Sequence, residues 1–137
     1  MNAVFADSFY FLARLNPRDQ AHQEAVRLGT EDSRPLVTTD WVLTEVGDAM
    51  SAPTNRPAFL RLLDLLRSSR EVEIVPATRE LLDRGVVLFS ERPDKEWSLT
   101  DCISFVVMRE RQLSEAFTGD QHFEQAGFRA LLVETHR

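Results

Sequence analysis

Pro35-Leu36-Val37-Thr38 runs directly into Thr39-Asp40-Trp41-Val42-Leu43-Thr44-Glu45-Val46-Gly47-Asp48-Ala49-Met50. The stretch reads as a short strand followed by a helix opened by a Thr or Asp cap. At about 100° per residue, Val42, Leu43, Val46, Ala49 and Met50 make one apolar arc, which Trp41 extends. Thr44 and Asp48 point away from it, but Glu45 projects between Trp41 and Ala49, inside the arc. An ionised carboxylate withdrawn from water is costly unless it is paired or binds a metal. The plain alternative is a partly exposed residue at the edge of the stripe, paired with an arginine. Three further acids are placed to share a counter-charge with Glu45: Asp7, Asp101 and Asp120.

Their placement follows from the pattern on either side. Residues 3–6 read as a strand and 8–15 as a helix stopped by Asn16-Pro17. Residues 19–28 read as a second helix closed by Gly29. Beyond the Glu45 helix, Phe59, Leu62, Leu63 and Leu66 recur at helical spacing, with Leu60 and Leu65 widening the stripe. Residues 72–75 are strand-like and 79–90 helical. Residues 100–111 form a helix apolar almost all round, hence central to the core. Residues 116–118, 121–125 and 130–133 read as strand, short helix and strand. Strands alternating with helices predict an α/β domain over 1–137, with a central parallel sheet of four to five strands covered on both faces. In such sheets ligands gather beyond the carboxyl ends of the strands, where strand order switches. Asp7 follows the first strand and Asp120 sits two residues past another. Asp101 opens the apolar helix, and Glu45 lies early in a helix leaving a strand.

Each aspartate also begins a helix, where Asp is a favoured cap or first-turn residue. Ser98-Leu99-Thr100-Asp101 has the spacing of a capping box. Glu45 lies too far along its helix for that explanation. Two unit charges 4 Å apart repel by about 4 kcal/mol at an effective dielectric near 20, so caps aimed at one crevice need a counter-charge. Oxygen ligands without clustered His or Cys point to Mg²⁺ or Mn²⁺ rather than zinc. Such a site can activate water and stabilise the departing oxygen of a phosphodiester.

Smaller signals surround this set. His122, two residues after Asp120, is placed to steer a phosphate, or is a solvated helix position. Arg92, Lys95 and Trp97 precede Asp101 in a charged loop. They offer phosphate contacts and a base-stacking platform, or else a solvated turn with the indole tucked inward. Cys102 sits in an apolar helix and reads as packing. As the only cysteine it excludes an internal disulfide and fits a reducing cytoplasm. No apolar stretch approaches a membrane span, and no basic leader precedes the first strand. The net charge of −6 argues against a protein dedicated to nucleic-acid backbone, yet bound cations would offset the acids. Fifteen of the sixteen basic residues are Arg, the better fork for phosphate.

Asp7 after a short strand, a helical Glu45, Asp101 before an apolar helix, and Thr118-Gly119-Asp120-Gln121-His122-Phe123 resemble the PIN domain. Within that family they resemble the VapC-like ribonuclease toxins of bacterial toxin–antitoxin pairs, over essentially the whole chain. The resemblance implies a three-layer α/β/α fold in which Asp7, Glu45, Asp101 and Asp120 hold Mg²⁺ or Mn²⁺ for RNA cleavage. It implies that Ser8 and Thr118 support them through hydroxyl hydrogen bonds. It also implies a cytoplasmic protein with RNA as substrate, a cognate antitoxin as partner, and a homodimer closed by the Leu60 and Leu65 flanks, which otherwise simply meet a neighbouring helix. Two other classes compete. A phosphoacceptor receiver domain needs a basic residue late in the sheet, whereas the only lysine, Lys95, precedes the apolar helix. A silent PIN-like binding module does not need all four acids.

Overall fold

Val4–Ala6 forms β1, three residues without exposed surface, as expected of a strand with neighbours on both edges and helices on both faces. Ser8–Leu15 (α1) and His22–Glu31 (α2) lead to Leu36–Thr39 (β2). Asp40–Ala49 (α3) and Arg56–Ser68 (α4) then lead to Val72–Val75 (β3). Arg79–Glu91 (α5), Leu99–Glu110 (α6), Glu115–Phe117 (β4), Gln121–Gln125 (α7) and Arg129–Ala130 (β5) complete the order. The structure, a computed structural model, describes residues 2–132. The sheet is parallel throughout, in the order β3-β2-β1-β4-β5, with Phe5 opposite Val37 on one side and Ala116 on the other.

That order contains the switch point. From β1 the chain moves outward to β2 and β3, then crosses back to β4 on the other side of β1 and continues to β5. Connections leaving β1 and β4 therefore diverge, opening a crevice above their carboxyl ends. Asp7 immediately follows β1, and Thr118 immediately follows β4. α1 packs on α2, α3 on α1 and α4, and α5 and α7 on α6; α3 also reaches α6, which carries the Glu45 helix towards Asp101.

The sequence explains most boundaries. Thr39 caps α3 by accepting from Val42 N (3.1 Å), and Thr78 caps α5 by accepting from Leu81 N (3.2 Å). Around β1 and β4 the core is aromatic: Phe105 stands edge-on to Phe123, ring centres 4.9 Å apart, and edge-on to Trp97 at 5.1 Å.

Some expectations shift. Asp19 Oδ1 accepts from Ala21 N (2.8 Å), a local turn that delays α2 until His22. Gly29 lies inside α2 and does not end it. A Cβ there would meet the Tyr10 hydroxyl and the Arg14 guanidinium, so the residue permits close approach of α1. β5 begins at Arg129, and Val133, expected to end it, lies outside the described residues. Among the described residues no helix is long and apolar enough to cross a membrane.

Gly85 of α5 gives a sign test of the packing. Gly→Ala inside a helix ordinarily stabilises by roughly 1 kcal/mol. Here the added Cβ would lie 2.4 Å from Ile103 Cγ1 and 3.4 Å from its Cα, with Ile103 fully buried. Gly85→Ala is therefore expected to destabilise, by about 1–3 kcal/mol as overpacked cores do. Urea unfolding measures it, and a rise in stability would contradict the packing.

Candidate metal centre

Asp7 is 3% exposed at the end of β1. It occupies the N-cap position of α1, yet its side chain makes no capping hydrogen bond. Instead its Oδ2 accepts from Thr118 Oγ1 (2.9 Å), and the same hydroxyl oxygen accepts from Asp120 N (3.1 Å). One threonine thus ties the carboxyl end of β1 to the loop leaving β4. Burial pushes the Asp7 carboxyl from 3.8 up to about 7; the Thr118 bond opposes this and the charges of Asp101 and Asp120 add to it.

Asp101 and Asp120 both cap helices and both face the crevice. Asp101 completes the capping box: its amide donates to Ser98 Oγ (3.0 Å) and its Oδ2 accepts from Ser98 N (3.2 Å). Asp120 caps α7, Oδ1 accepting from His122 N at 2.8 Å. Burial raises the Asp101 carboxyl, partly countered by a His122 hydrogen bond and reinforced by the charge of Asp120. Capping and convergence are therefore not alternatives here, because the helices begin where the strands end.

Glu45 is half-buried. Val42, Leu43 and Val46 are buried, whereas Ala49 is exposed, so the apolar arc is narrower than the sequence suggests and Glu45 sits at its rim. Burial raises its carboxyl; the hydroxyls of Ser8 and Thr100 lower it, while Asp101 and Asp120 raise it. Among the described residues no lysine or arginine pairs with any of the four acids, so the arginine-paired alternative for Glu45 fails.

His122 is the residue whose position the sequence least revealed. Its Nδ1 lies 3.1 Å from Asp101 Oδ2 and 3.4 Å from Asp120 Oδ1. Asp101, Asp120 and His122 offer ligand atoms all within 4.8 Å of one another; Asp7 and Glu45 stand outside that tight group but feel its charge. His122 therefore joins Asp101 and Asp120 as a residue that could hold an ion, because α7's first turn folds the imidazole back over its own cap. The fit is to a divalent cation: carboxylates drawn from separate elements, with Asp7, Glu45 and Asp101 raised by burial and by neighbouring acids, and no lysine or arginine among the described residues to neutralise them.

In the loop before α6 the structure decides between the two readings of Trp97. Trp97 is 4% exposed, with Nε1 donating to Gln125 Oε1 (3.0 Å), so its ring is a packed wall and not an open stacking platform. Arg92 lies over that ring, its guanidinium carbon 5.1 Å from the ring centre, and forms a forked pair with Asp94 at 3.0 Å. Lys95 is half-exposed.

A cavity of about 630 Å³ lies elsewhere, under α4 and against the amino ends of β2 and β3, lined by Tyr10, Leu36, Leu62, Leu65, Leu66 and Val72 among others. None of the four acids lines it. Crowded charge marks the chemical site better than volume does.

Comparison with known proteins follows this geometry. The PIN domain family profile matches residues 4–129. The 23S rRNA-specific endonuclease VapC20 of Mycobacterium tuberculosis is 26% identical over 125 residues, covering 91% of this chain and 95% of the relative. The crystal structure of VapC20, described as a sarcin–ricin loop cleaving toxin, superposes with a TM-score of 0.86 over 94% of this chain and 98% of its own. VapBC2 from Rickettsia felis, solved bound to a promoter DNA fragment, shares the fold at 12% identity, with a TM-score of 0.65 over 93% of this chain and 96% of that one.

Proposed function

This chain belongs to the PIN domain family, and from that premise we propose that it is a metal-dependent ribonuclease, the toxin of a type II toxin–antitoxin pair. The observation carrying this reading is that Asp7, Glu45, Asp101 and Asp120 feel one another's charge at the β1/β4 switch point, with no lysine or arginine paired to them among the described residues. VapC20's substrate makes ribosomal RNA the first to try.

In this reading the four carboxylates hold Mg²⁺ or Mn²⁺. The bound cation supplies Lewis-acid activation of water and charge stabilisation at the phosphodiester. Thr118 fixes Asp7 relative to Asp120 through its shared hydroxyl, and Ser8 and Thr100 orient Glu45. The Ser98 amide and His122 both meet Asp101 Oδ2 and so fix the carboxylate. His122 spans Asp101 and Asp120 and is placed to meet a phosphate oxygen as it enters. The proposed partners are an antitoxin protein and a second copy of the chain. Leu60 and Leu65 of α4, 57% and 67% exposed, are the proposed self-contact.

Millimolar Mg²⁺ or Mn²⁺ is expected to raise the melting temperature. A ligand at a hundred times its Kd stabilises the folded state by about 2.7 kcal/mol, several degrees for a chain of this size. Differential scanning fluorimetry with and without EDTA measures the shift. Asp120→Asn should remove most of it, and a metal-independent melting curve would remove the basis of the reading.

A further inference from the structure

We propose that the cavity of about 420 Å³ between the end of α5 and the start of α6 is a base-binding subsite for the RNA strand, with Phe89 as its stacking surface and Lys95 as its phosphate contact. The inference rests on the ribonuclease reading and names where a nucleotide beside the cut bond lodges.

Position comes first. The cavity is lined by Phe89, Arg92, Pro93, Lys95, Trp97 and Cys102, together with Ser90. Cys102 is the neighbour of Asp101, and Trp97 is fastened to Gln125 on the short helix that Asp120 opens. The loop 92–98 joins the two helices, and Gly85 meets Ile103. The end of α5 therefore lies alongside the start of α6, beside the acids. None of the four acids lines the hollow; its link to them is Cys102, next to Asp101 in α6, and Trp97, bonded to the helix that Asp120 opens.

Chemistry comes second. At about 420 Å³ the hollow falls near the small end of ligand cavities, which run from about 300 to 1,000 Å³. The charged groups lining it are cations, although Glu91, Asp94 and Glu96 lie close in sequence. Arg92 is committed: it pairs with Asp94 and lies over the Trp97 ring, so it forms a wall of the hollow. Lys95 lines the hollow and forms no ion pair among the described residues, although Asp94, already forked to Arg92, feels its charge; its ammonium is the group for an incoming phosphate. Phe89 is 51% exposed at the rim, an aromatic face held out to water. Bases stack on such faces whatever their sequence, while a nearby cation holds the backbone. Val86 and Val87 are also exposed on α5, at 45% and 54%, which makes a second protein copy the competing occupant. The cationic lining, and a position beside the helix that carries Asp101, favour RNA.

The test measures binding by fluorescence anisotropy, using a short labelled single-stranded RNA with Mg²⁺ and Asp101→Asn as the parent protein, so that the probe stays intact. Phe89→Ala is expected to weaken binding about tenfold. Phe89→Leu, which keeps apolar bulk without a ring, should behave similarly, and Phe89→Trp should bind at least as tightly as the parent. Lys95→Ala should reduce the slope of log affinity against log salt by about 0.7. Parent-like binding by Phe89→Leu, in a protein whose wild-type form cleaves RNA, overturns the subsite and leaves the ribonuclease reading standing. A loss of affinity that coincides with conversion of a dimer to a monomer in light scattering also overturns it, because Phe89 would then serve a subunit contact. A parent that binds no RNA, with a wild-type form that cuts none, defeats the ribonuclease reading and the subsite together.

Discussion

Asp101→Asn protein is expected to fold, to melt no lower than its parent without metal, and to cleave RNA at less than about a thousandth of the parent rate. The three outcomes have separate origins. Folding survives because the amide oxygen of Asn can still accept from the Ser98 amide, and the Asp101 backbone still donates to Ser98 Oγ, so the capping box persists. Stability is kept or improved because one of the mutually repelling carboxylates is gone, and Asp101 contributes to raising both Asp7 and Glu45. Activity collapses because the tightest part of the ligand group, Asp101 with Asp120 and His122, loses a charge where the cation is proposed to sit. Several kcal/mol of transition-state stabilisation are assigned to such an ion, and each 1.36 kcal/mol is tenfold in rate. A gel assay of ribosomal RNA with Mn²⁺, beside circular dichroism melts in EDTA, separates the three. Wild-type cleavage by Asp101→Asn would remove the metal centre from the reaction, whatever the fold.

The acids were legible because their positions in the chain encode topology. A polar residue directly after an apolar run such as Val4-Phe5-Ala6 or Ala116-Phe117 can only stand at the carboxyl end of a buried strand. In a parallel sheet all those ends share one edge. Glu45 was legible for a different reason, as a charge within an apolar arc, although its neighbour Ala49 proved exposed. What stayed hidden depends on contacts made across the chain. Gly29 looks like a helix stop, but its lack of a side chain answers Tyr10 and Arg14 of another helix. The sequence leaves Trp97 between an open platform and an indole tucked inward, and Gln125, far downstream, decides for the second. The exposure of Phe89 cannot be told from periodicity, since Leu88 beside it is buried at 8% exposure while Phe89 is 51% exposed. His122 was read from its distance to Asp120 along the chain, whereas its contact with Asp101 exists only because α6 and α7 pack together.

The remaining large effect is on stability against pH, and its sign runs opposite to the usual acid denaturation. A carboxylate that is salt-bridged in the folded state has a lowered folded pKa and stabilises as pH rises. Asp7 is the reverse, pushed from 3.8 to about 7, chiefly by burial. Between those values the folded protein holds a proton that the unfolded chain has released, so unfolding releases protons and stability falls as pH increases. Above about 7 both states are ionised at this position and the loss is complete. A shift of this size corresponds to up to about 4 kcal/mol at 1.36 kcal/mol per unit, and the raised carboxyls of Asp101 and Glu45 act in the same direction. Metal-free protein is therefore expected to be more stable near pH 5 than near pH 8 in urea titrations with EDTA. Asp7→Asn, which can still accept from Thr118 Oγ1, should flatten much of that slope and be the more stable protein near pH 8. Subtracting the two profiles gives the contribution of Asp7 together with its coupling to Asp101 and Asp120. Parallel profiles would mean that the buried carboxyl titrates alike in both states. The same electrostatic cost explains why a divalent cation should stabilise the protein most at the alkaline end, where all four carboxylates are charged and crowded.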